Sequence, residues 1–167
     1  MPMACFDDCG CTCYAWEADT QFDQTVEAET RFGITLRQLL GSHHGWYSDG
    51  EEGRSNGDVR WLGLRAVSGV YIPWQQADSC PTHDSEHLRA YYVGKAGSSI
   101  EARLLIHQMS KNVNEVLTTE VSVWEAPNRK AKYVEQLLLD FYDFPLNESE
   151  NPGVHPLCHH IGYADWN

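Results

Sequence analysis

Residues 90–107 read AYYVGKAGSSIEARLLIH and join a strand pattern to the start of a helix. The aromatic and β-branched residues at 90–94 predict a strand, since such side chains fit a pleated, half-buried surface. Ser98 is followed three residues later by Glu101, which fits a capping box with Ser98 as the N-cap. We therefore expect a strand that leads, after a short turn, into a helix ending near residue 110.

The flanking segments extend this pattern in both directions. Residues 67–73 predict a strand that ends at its proline, and residues 75–86 predict a polar loop. Residues 119–124 alternate between polar and apolar side chains as a strand does. A second helix is expected between Pro127 and Pro145. Its apolar positions recur at helical spacing and are Val134, Leu137, Leu138 and Phe141.

The elements follow the order strand, strand, helix, strand, helix, which predicts an α/β (α+β) fold. Two strands in close succession imply an antiparallel pair, and the third can join the same small three-stranded sheet with helices packed on it. Residues 67–151 form this layer. Residues 1–66 are expected to be an N-terminal extension of unknown fold that includes a short helix at residues 35–40. Residues 152–167 are expected to be a C-terminal tail packed on the domain.

Length and composition bound the class of protein. The chain has 167 residues, of which 42% are hydrophobic and 11% aromatic, so a wholly disordered chain is excluded. No apolar run approaches the roughly 20 residues that a membrane-spanning helix needs. The N-terminus has neither a basic flank nor an apolar stretch, which argues against a secretory signal. We expect a soluble, cytoplasmic protein with no membrane partner.

The charges are unevenly distributed along the chain. The formal net charge of −12 argues mildly against binding a polyanion through the overall field of the protein. Residues 69–147, however, contain seven of the twelve basic residues and all four lysines. If the protein binds an anion, this segment is where we expect it to do so.

Cysteine and histidine clusters leave a structural metal site open as an alternative. Four cysteines crowd the N-terminus, namely Cys5, Cys9, Cys11 and Cys13. Their spacing is too tight for the usual zinc knuckles, so reduced thiols are the simpler interpretation. Cys158, His159 and His160 form a second set of possible ligands. The expected loop also contains His83, Asp84 and His87, for which a solvated loop is the simpler interpretation.

Three side chains in the second half of the chain suggest chemistry. Arg103 and His107 are four residues apart on the first helix of the layer, so they share a face. Glu135 lies within the apolar run of the second helix, either at the rim of the buried stripe or bound to a cation. Taken singly, each residue is better explained as a solvated surface residue, Glu135 as a helix-face carboxylate and Arg103 with His107 as a surface pair.

Taken together, the polar residues follow the order of a known family. The order is Gly69-Val70-Tyr71, Tyr92-Val93-Gly94, Arg103 with His107, Glu135, and Asn147. Over residues 67–151 the chain resembles the GIY-YIG nuclease family in this order and in its expected elements. Valine replaces isoleucine in both signature tripeptides, and the link between the tripeptides is longer than the short hairpin of many family members.

The resemblance implies hydrolysis of phosphodiester bonds with the help of one divalent cation. Glu135 would hold Mg²⁺ or Mn²⁺, which prefer carboxylate and water oxygens. Arg103 offers a permanently charged fork that suits phosphate. Tyr71 would act as the base or orient the attacking water with Tyr92 close to it, and His107 is a further candidate for that role. Lys95 and Asn147 are the expected substrate-binding residues, Lys95 to hold a phosphate or to lower the pKa of a tyrosine, and Asn147 to order the site through hydrogen bonds.

Three functions remain open from the sequence. The first is a DNA endonuclease of restriction type, for which palindromic cutting would favour a homodimer. The second is a nuclease toxin with an immunity protein as its partner. The third is a non-catalytic nucleic-acid-binding module that kept the fold.

Overall fold

A computed structural model describes residues 16–41, 43–45, 66–80, 85–103, 118–147 and 150–162. The helices are α1 (Trp16–Glu29), α2 (Leu36–Gly41) and α3 (Asn128–Phe141), with a further helical turn at residues 100–103. The strands are β1 (His43–Gly45), β2 (Gly69–Cys80), β3 (Ser85–Ala90), β4 (Gly94–Ala96), β5 (Thr118–Glu125), β6 (Tyr142–Asp143), β7 (His155–Pro156) and β8 (Cys158–Gly162). Within these ranges, no helix has the length and apolar character needed to cross a bilayer.

The main sheet is antiparallel and has six strands in the order β1-β5-β2-β3-β8, with β4 paired to β2. Strands β6 and β7 form a separate parallel pair. The expected mixed α/β class with a small antiparallel sheet is confirmed. The sheet is wider than the three strands expected, because β3 and β4 take the place of one expected strand, and β1 from the N-terminal part and β8 from the C-terminal part each add an edge.

Strand β2 continues past Pro73 to Cys80, so the expected end at this proline is wrong. On one side of β2, residues 69–71 pair with β4 and residues 74–80 pair with β3. Pro73 therefore lies in the gap between the two neighbours, and its ladder partner is Val121 in β5 on the other side. Proline cannot donate a ladder hydrogen bond, and a gap in the ladder is where this loss is tolerated.

The expected loop at residues 75–86 and the expected strand at residues 90–94 are also wrong. Residues 75–80 belong to β2 and pair antiparallel with β3, so most of this polar stretch is a hairpin. Strand β3 ends at Ala90 and β4 begins at Gly94, so the intervening residues lie between two strands. Pairing with β3 as far as Cys80, and with β5 at Gln75, holds the polar end of β2 in the sheet, which its composition did not indicate.

The sheet separates two apolar clusters. The larger cluster lies between one face of the sheet and helices α1, α2 and α3, and it includes Val70, Ile72, Trp74, Leu88 and Ala90. The smaller cluster lies on the other face and contains Tyr71, Ala96, Ile100, Val121 and Val123. Because side chains alternate along a strand, Tyr71 is on the opposite face from Val70 and Ile72.

The N-terminal helices are built into the larger cluster. The side chain of Phe22 packs edge-on against Phe141, with ring centroids 6.2 Å apart. The Ser122 hydroxyl is buried in β5, where it donates to the Leu40 carbonyl at 2.8 Å and accepts from the Trp74 indole at 2.7 Å. These contacts join α1, α2, β2 and β5 in one core.

Two predicted helices are confirmed, and one predicted cap is displaced. The short helix before Gly41 is α2, and its first turn is closed by reciprocal bonds between Thr35 and Gln38. The second helix of the layer is α3. At the turn that begins at residue 100, the side chain of Ser99 accepts from the Ala102 amide at 3.2 Å, so Ser99 is the cap and not Ser98.

Candidate active site

Both glycines of the signature tripeptides lie where a side chain has no room. Gly69 has φ +149°, and a Cβ at this position would lie 1.9 Å from the Trp124 carbonyl oxygen of β5. A Cβ on Gly94 would lie 2.5 Å from the Tyr71 hydroxyl and 2.8 Å from the ring of Tyr92. The first glycine therefore allows β5 to approach β2, and the second makes space for the two tyrosine rings.

Tyr71 and Tyr92 form an aromatic pair above Gly94. Their ring centroids are 6.2 Å apart and their planes are tilted by 37°. Tyr71 is fully buried in the middle of the sheet, whereas Tyr92 is partly exposed in the segment between β3 and β4. Only the outer member of the pair therefore faces solvent.

The two hydroxyls interact with each other and with a cation. Burial raises the pKa of Tyr71 well above its usual range, and the nearby Tyr92 raises it further, while Arg103 opposes the shift. Burial also raises the pKa of Tyr92, and the hydrogen bond with Tyr71 and the charge of Arg103 oppose that rise. Both phenols are neutral near pH 7 by their ordinary pKa, and burial makes their protons still harder to remove.

Glu135 brings the carboxylate to this group of residues. It lies half-buried on the edge of α3, and its charge acts on Tyr92. Desolvation raises the pKa of Glu135, and the charges of Lys95, Arg103 and Lys132 oppose the rise. Three cations thus surround one carboxylate, yet none of the ion pairs within 4.0 Å among the described residues involves Glu135.

Two polar contacts fix the backbone around the site. The Lys95 ammonium donates to the Asn128 side chain at 2.8 Å and so ties β4 to the start of α3. Asn147 bonds to the backbone of Val93 in both directions at 3.0 Å, accepting from its amide and donating to its carbonyl. Val93 lies between Tyr92 and Gly94, so Asn147 holds the second tripeptide in place and has its side chain turned to the backbone.

The structure brings together most of the residues singled out in the sequence. Tyr71, Tyr92, Arg103, Glu135 and Lys95 interact as one group, and Asn147 supports them from behind. His107 lies outside the described residues, as do His83, Asp84 and the four N-terminal cysteines. Their roles stay predictions.

Two members of the site were not singled out in the sequence. Lys132 acts on Glu135 from three residues away on α3, and the i, i+3 spacing of opposite charges was a readable signal. Asn128 accepts from Lys95 across 33 positions of sequence, and no local pattern indicates such a contact.

The donor set suits a hard divalent cation held by one carboxylate. Among the side chains that the structure describes, no three His, Cys, Asp or Glu residues form a ready-made metal cluster. Mg²⁺ keeps several waters and commonly takes one or two carboxylates together with substrate phosphate oxygens. Glu135 is half-buried, and the charge of Arg103 acts on it. Arginine is well suited to binding phosphate, so the two residues fit this mode of binding.

Comparison with family models, curated proteins and solved structures finds no match to this chain.

Proposed function

We propose that this protein is a metal-dependent DNA endonuclease that hydrolyses phosphodiester bonds, of the restriction type. The observation that carries the proposal is the electrostatic coupling of Tyr71, Tyr92, Arg103 and Glu135, which come from four separate segments of the chain. Two phenols, a guanidinium and a carboxylate supply water orientation, phosphate binding and a metal ligand within one site.

The phenols and the guanidinium have distinct roles. Arg103 is exposed, so its charged fork is accessible to a phosphate of the substrate. The raised pKa of Tyr71 keeps its proton in place, so Tyr71 orients the attacking water by a hydrogen bond and is not a phenolate base. Tyr92 lies at the exposed side of Tyr71 and positions the water or the phosphate next to it.

Glu135 is the residue that would hold Mg²⁺ or Mn²⁺. The bound cation would polarise the phosphate and stabilise the charge that develops on it. An ion-paired surface glutamate is the competing explanation, and the half-burial of Glu135, which raises its pKa despite three nearby cations, favours the metal ligand. Lys95 and Lys132 flank the carboxylate and add positive charge on the substrate side of the site.

Cleavage of supercoiled plasmid DNA tests the proposal. The wild-type protein should cut with Mg²⁺ or Mn²⁺ and stop when EDTA is added. Glu135→Gln should abolish cleavage and keep or improve DNA binding, because one negative charge near the phosphate is removed. Asp140→Asn removes an exposed carboxylate from the same helix and should leave cleavage unchanged.

The outcomes separate the proposal from its alternatives. Metal-dependent cutting by purified Glu135→Gln would overturn the role of this carboxylate. DNA binding by the wild-type protein without any cleavage would identify a non-catalytic module. Discrete fragments from a long linear DNA would support restriction, whereas degradation without preferred sites would favour a toxin.

A further inference from the structure

The edge of the sheet formed by β3 and β8 places histidines from distant parts of the sequence next to each other. His87 in β3 is directly opposite His160 in β8 in the antiparallel register. Leu88 and Ala90 belong to the larger apolar cluster, so by alternation His87 is on the other face of the sheet, together with Arg89. Arg89, two positions further along β3 on that face, is partly exposed.

The hydrogen-bonding pattern shows that the two histidines form the closer kind of cross-strand pair. The Ala90 amide donates to the Leu157 carbonyl at 3.0 Å, which makes this a hydrogen-bonded position that continues the same register. Such positions alternate along an antiparallel ladder, so the pair of His87 and His160 is a non-hydrogen-bonded one. The Cα atoms of such pairs lie about 4.5 Å apart, closer than in hydrogen-bonded pairs.

A thiol and a carboxylate adjoin this pair on the same face. Cys158 is two residues before His160 in β8 and opposite Arg89, and it is a free, partly exposed cysteine. Asp78 in β2 is opposite His87 on its other side. The register therefore brings two histidines, a cysteine and an aspartate to neighbouring positions on three adjacent strands.

We propose that His87, His160 and Cys158 bind a zinc ion. Imidazole and thiolate are the ligands that zinc prefers in proteins, and neighbouring strands can supply them to one tetrahedral ion. Asp78 occupies the register position opposite His87, and a carboxylate is a common partner of zinc-bound histidines. This site is independent of the proposed nuclease function and shares no residue with it.

The ion would fasten the edge strand β8 to β3. Zinc that binds the folded chain raises its stability in proportion to the logarithm of metal concentration above the dissociation constant. We expect Zn²⁺ added to the reduced, metal-free protein to bind and raise its thermal midpoint. The four N-terminal cysteines are present in every variant below, so any zinc they take up is common to all of them.

Matched glutamine variants test the register. His87→Gln and His160→Gln should each weaken zinc binding at this site by more than about tenfold, since even outer-shell partners of a metal contribute 10–100-fold. His159→Gln is the control, because His159 neighbours His160 but is opposite Leu88 on the other face. It should retain the zinc affinity and the thermal shift. Equal affinities in wild type and His87→Gln, or an equal loss in His159→Gln, would overturn the proposal.

A second measurement needs no substitution and so does not depend on the folding of a variant. Alkylation of Cys158 in the wild-type protein, followed by peptide mass spectrometry, should be slowed more than about tenfold by saturating Zn²⁺ if its thiolate is a ligand. Alkylation of Cys158 at the same rate with and without Zn²⁺ would show that this thiol does not bind the ion.

Discussion

The rings of Tyr71 and Tyr92 occupy the space that a Cβ on Gly94 would need. Adding one methyl group at this position should therefore lower both stability and activity. In Gly94→Ala the new Cβ would meet the Tyr71 ring at 2.5 Å, so the ring must move. Overpacking of this kind typically costs about 1–3 kcal/mol. We expect a folded protein with a lower denaturation midpoint and strongly reduced plasmid cleavage.

Gly97→Ala is the matched control for this substitution. Gly97 is exposed, and the nearest atom to an added Cβ is the Asn128 side-chain oxygen at 3.7 Å, an ordinary contact. Its stability and cleavage should match the wild type within error. If Gly94→Ala behaved as Gly97→Ala does, the position of the Tyr71 ring would not matter for activity.

The raised pKa of Glu135 predicts how its removal affects stability. A carboxyl group whose pKa is raised by folding contributes stability below its unfolded pKa, and this contribution is lost as the pH rises through the folded value. Glutamine stays neutral, so Glu135→Gln should be more stable than the wild type near pH 7 and should lose this advantage in acid. We expect a gain of about 1 kcal/mol or less, because the group is partly exposed and screened.

Urea denaturation at several pH values measures this difference. A residue that acts as an ion-pair partner would give the opposite sign, a loss of stability at neutral pH. We interpret Glu135 as a residue that lowers the free energy of unfolding but is needed for the reaction. A lower free energy of unfolding in Glu135→Gln than in the wild type at pH 7 would contradict this interpretation.

At the scale of elements, α1 is coupled to Tyr142, the residue that directly follows α3, by a partly buried hydrogen bond. The hydroxyl of Tyr142, which is fully buried, donates to the Asp19 carboxylate. Burial raises the pKa of Asp19, and the bond from Tyr142 opposes the rise. Removing this donor in Tyr142→Phe leaves a desolvated acceptor, which typically costs about 1–3 kcal/mol.

The same substitution at an exposed bond is its control. Tyr133 on α3 donates to Glu29 of α1 at the protein surface. Tyr133→Phe should change the free energy of unfolding by less than about 0.5 kcal/mol, as surface substitutions usually do. Equal losses in the two variants would mean that burial does not strengthen the contact between α1 and α3.

Elements with a strong local period were predictable, and those held by long-range pairing were not. Helix α3 followed from the spacing of Val134, Leu137 and Leu138, all of which are buried. The polar end of β2 has no such period, and it is the pairing with β3 that makes it a strand. Strand β1 has three residues, too few for any periodicity to show.

At the scale of the whole molecule, the order of the polar residues in the sequence indicated which of them lie close together in the structure. Tyr71 and Arg103 were singled out in the sequence, and the structure places them in contact range of each other. The further rise in the pKa of Tyr71 was not predictable, since it arises from burial of the phenol in the smaller apolar cluster. Lys132 was missed because a lysine on a helix face is usually only solvated.

The charge of the whole protein gives the last prediction. The net charge of −12 opposes DNA, so any affinity must come from local cations such as Lys95, Arg103 and Lys132 beside Glu135. Each phosphate contact contributes about −0.9 to the slope of log K against log salt concentration. DNA affinity should therefore fall steeply with salt, and Lys132→Gln should make the slope shallower by about 1.

Arg37→Gln removes an exposed cation from α2, away from the site, and should leave the slope unchanged. Titration of a labelled duplex at several salt concentrations measures both variants in Ca²⁺, which replaces the catalytic cation. An equal change of slope in the two variants would indicate binding through the general field of the protein, and affinity independent of salt would exclude a site that contacts the phosphate backbone.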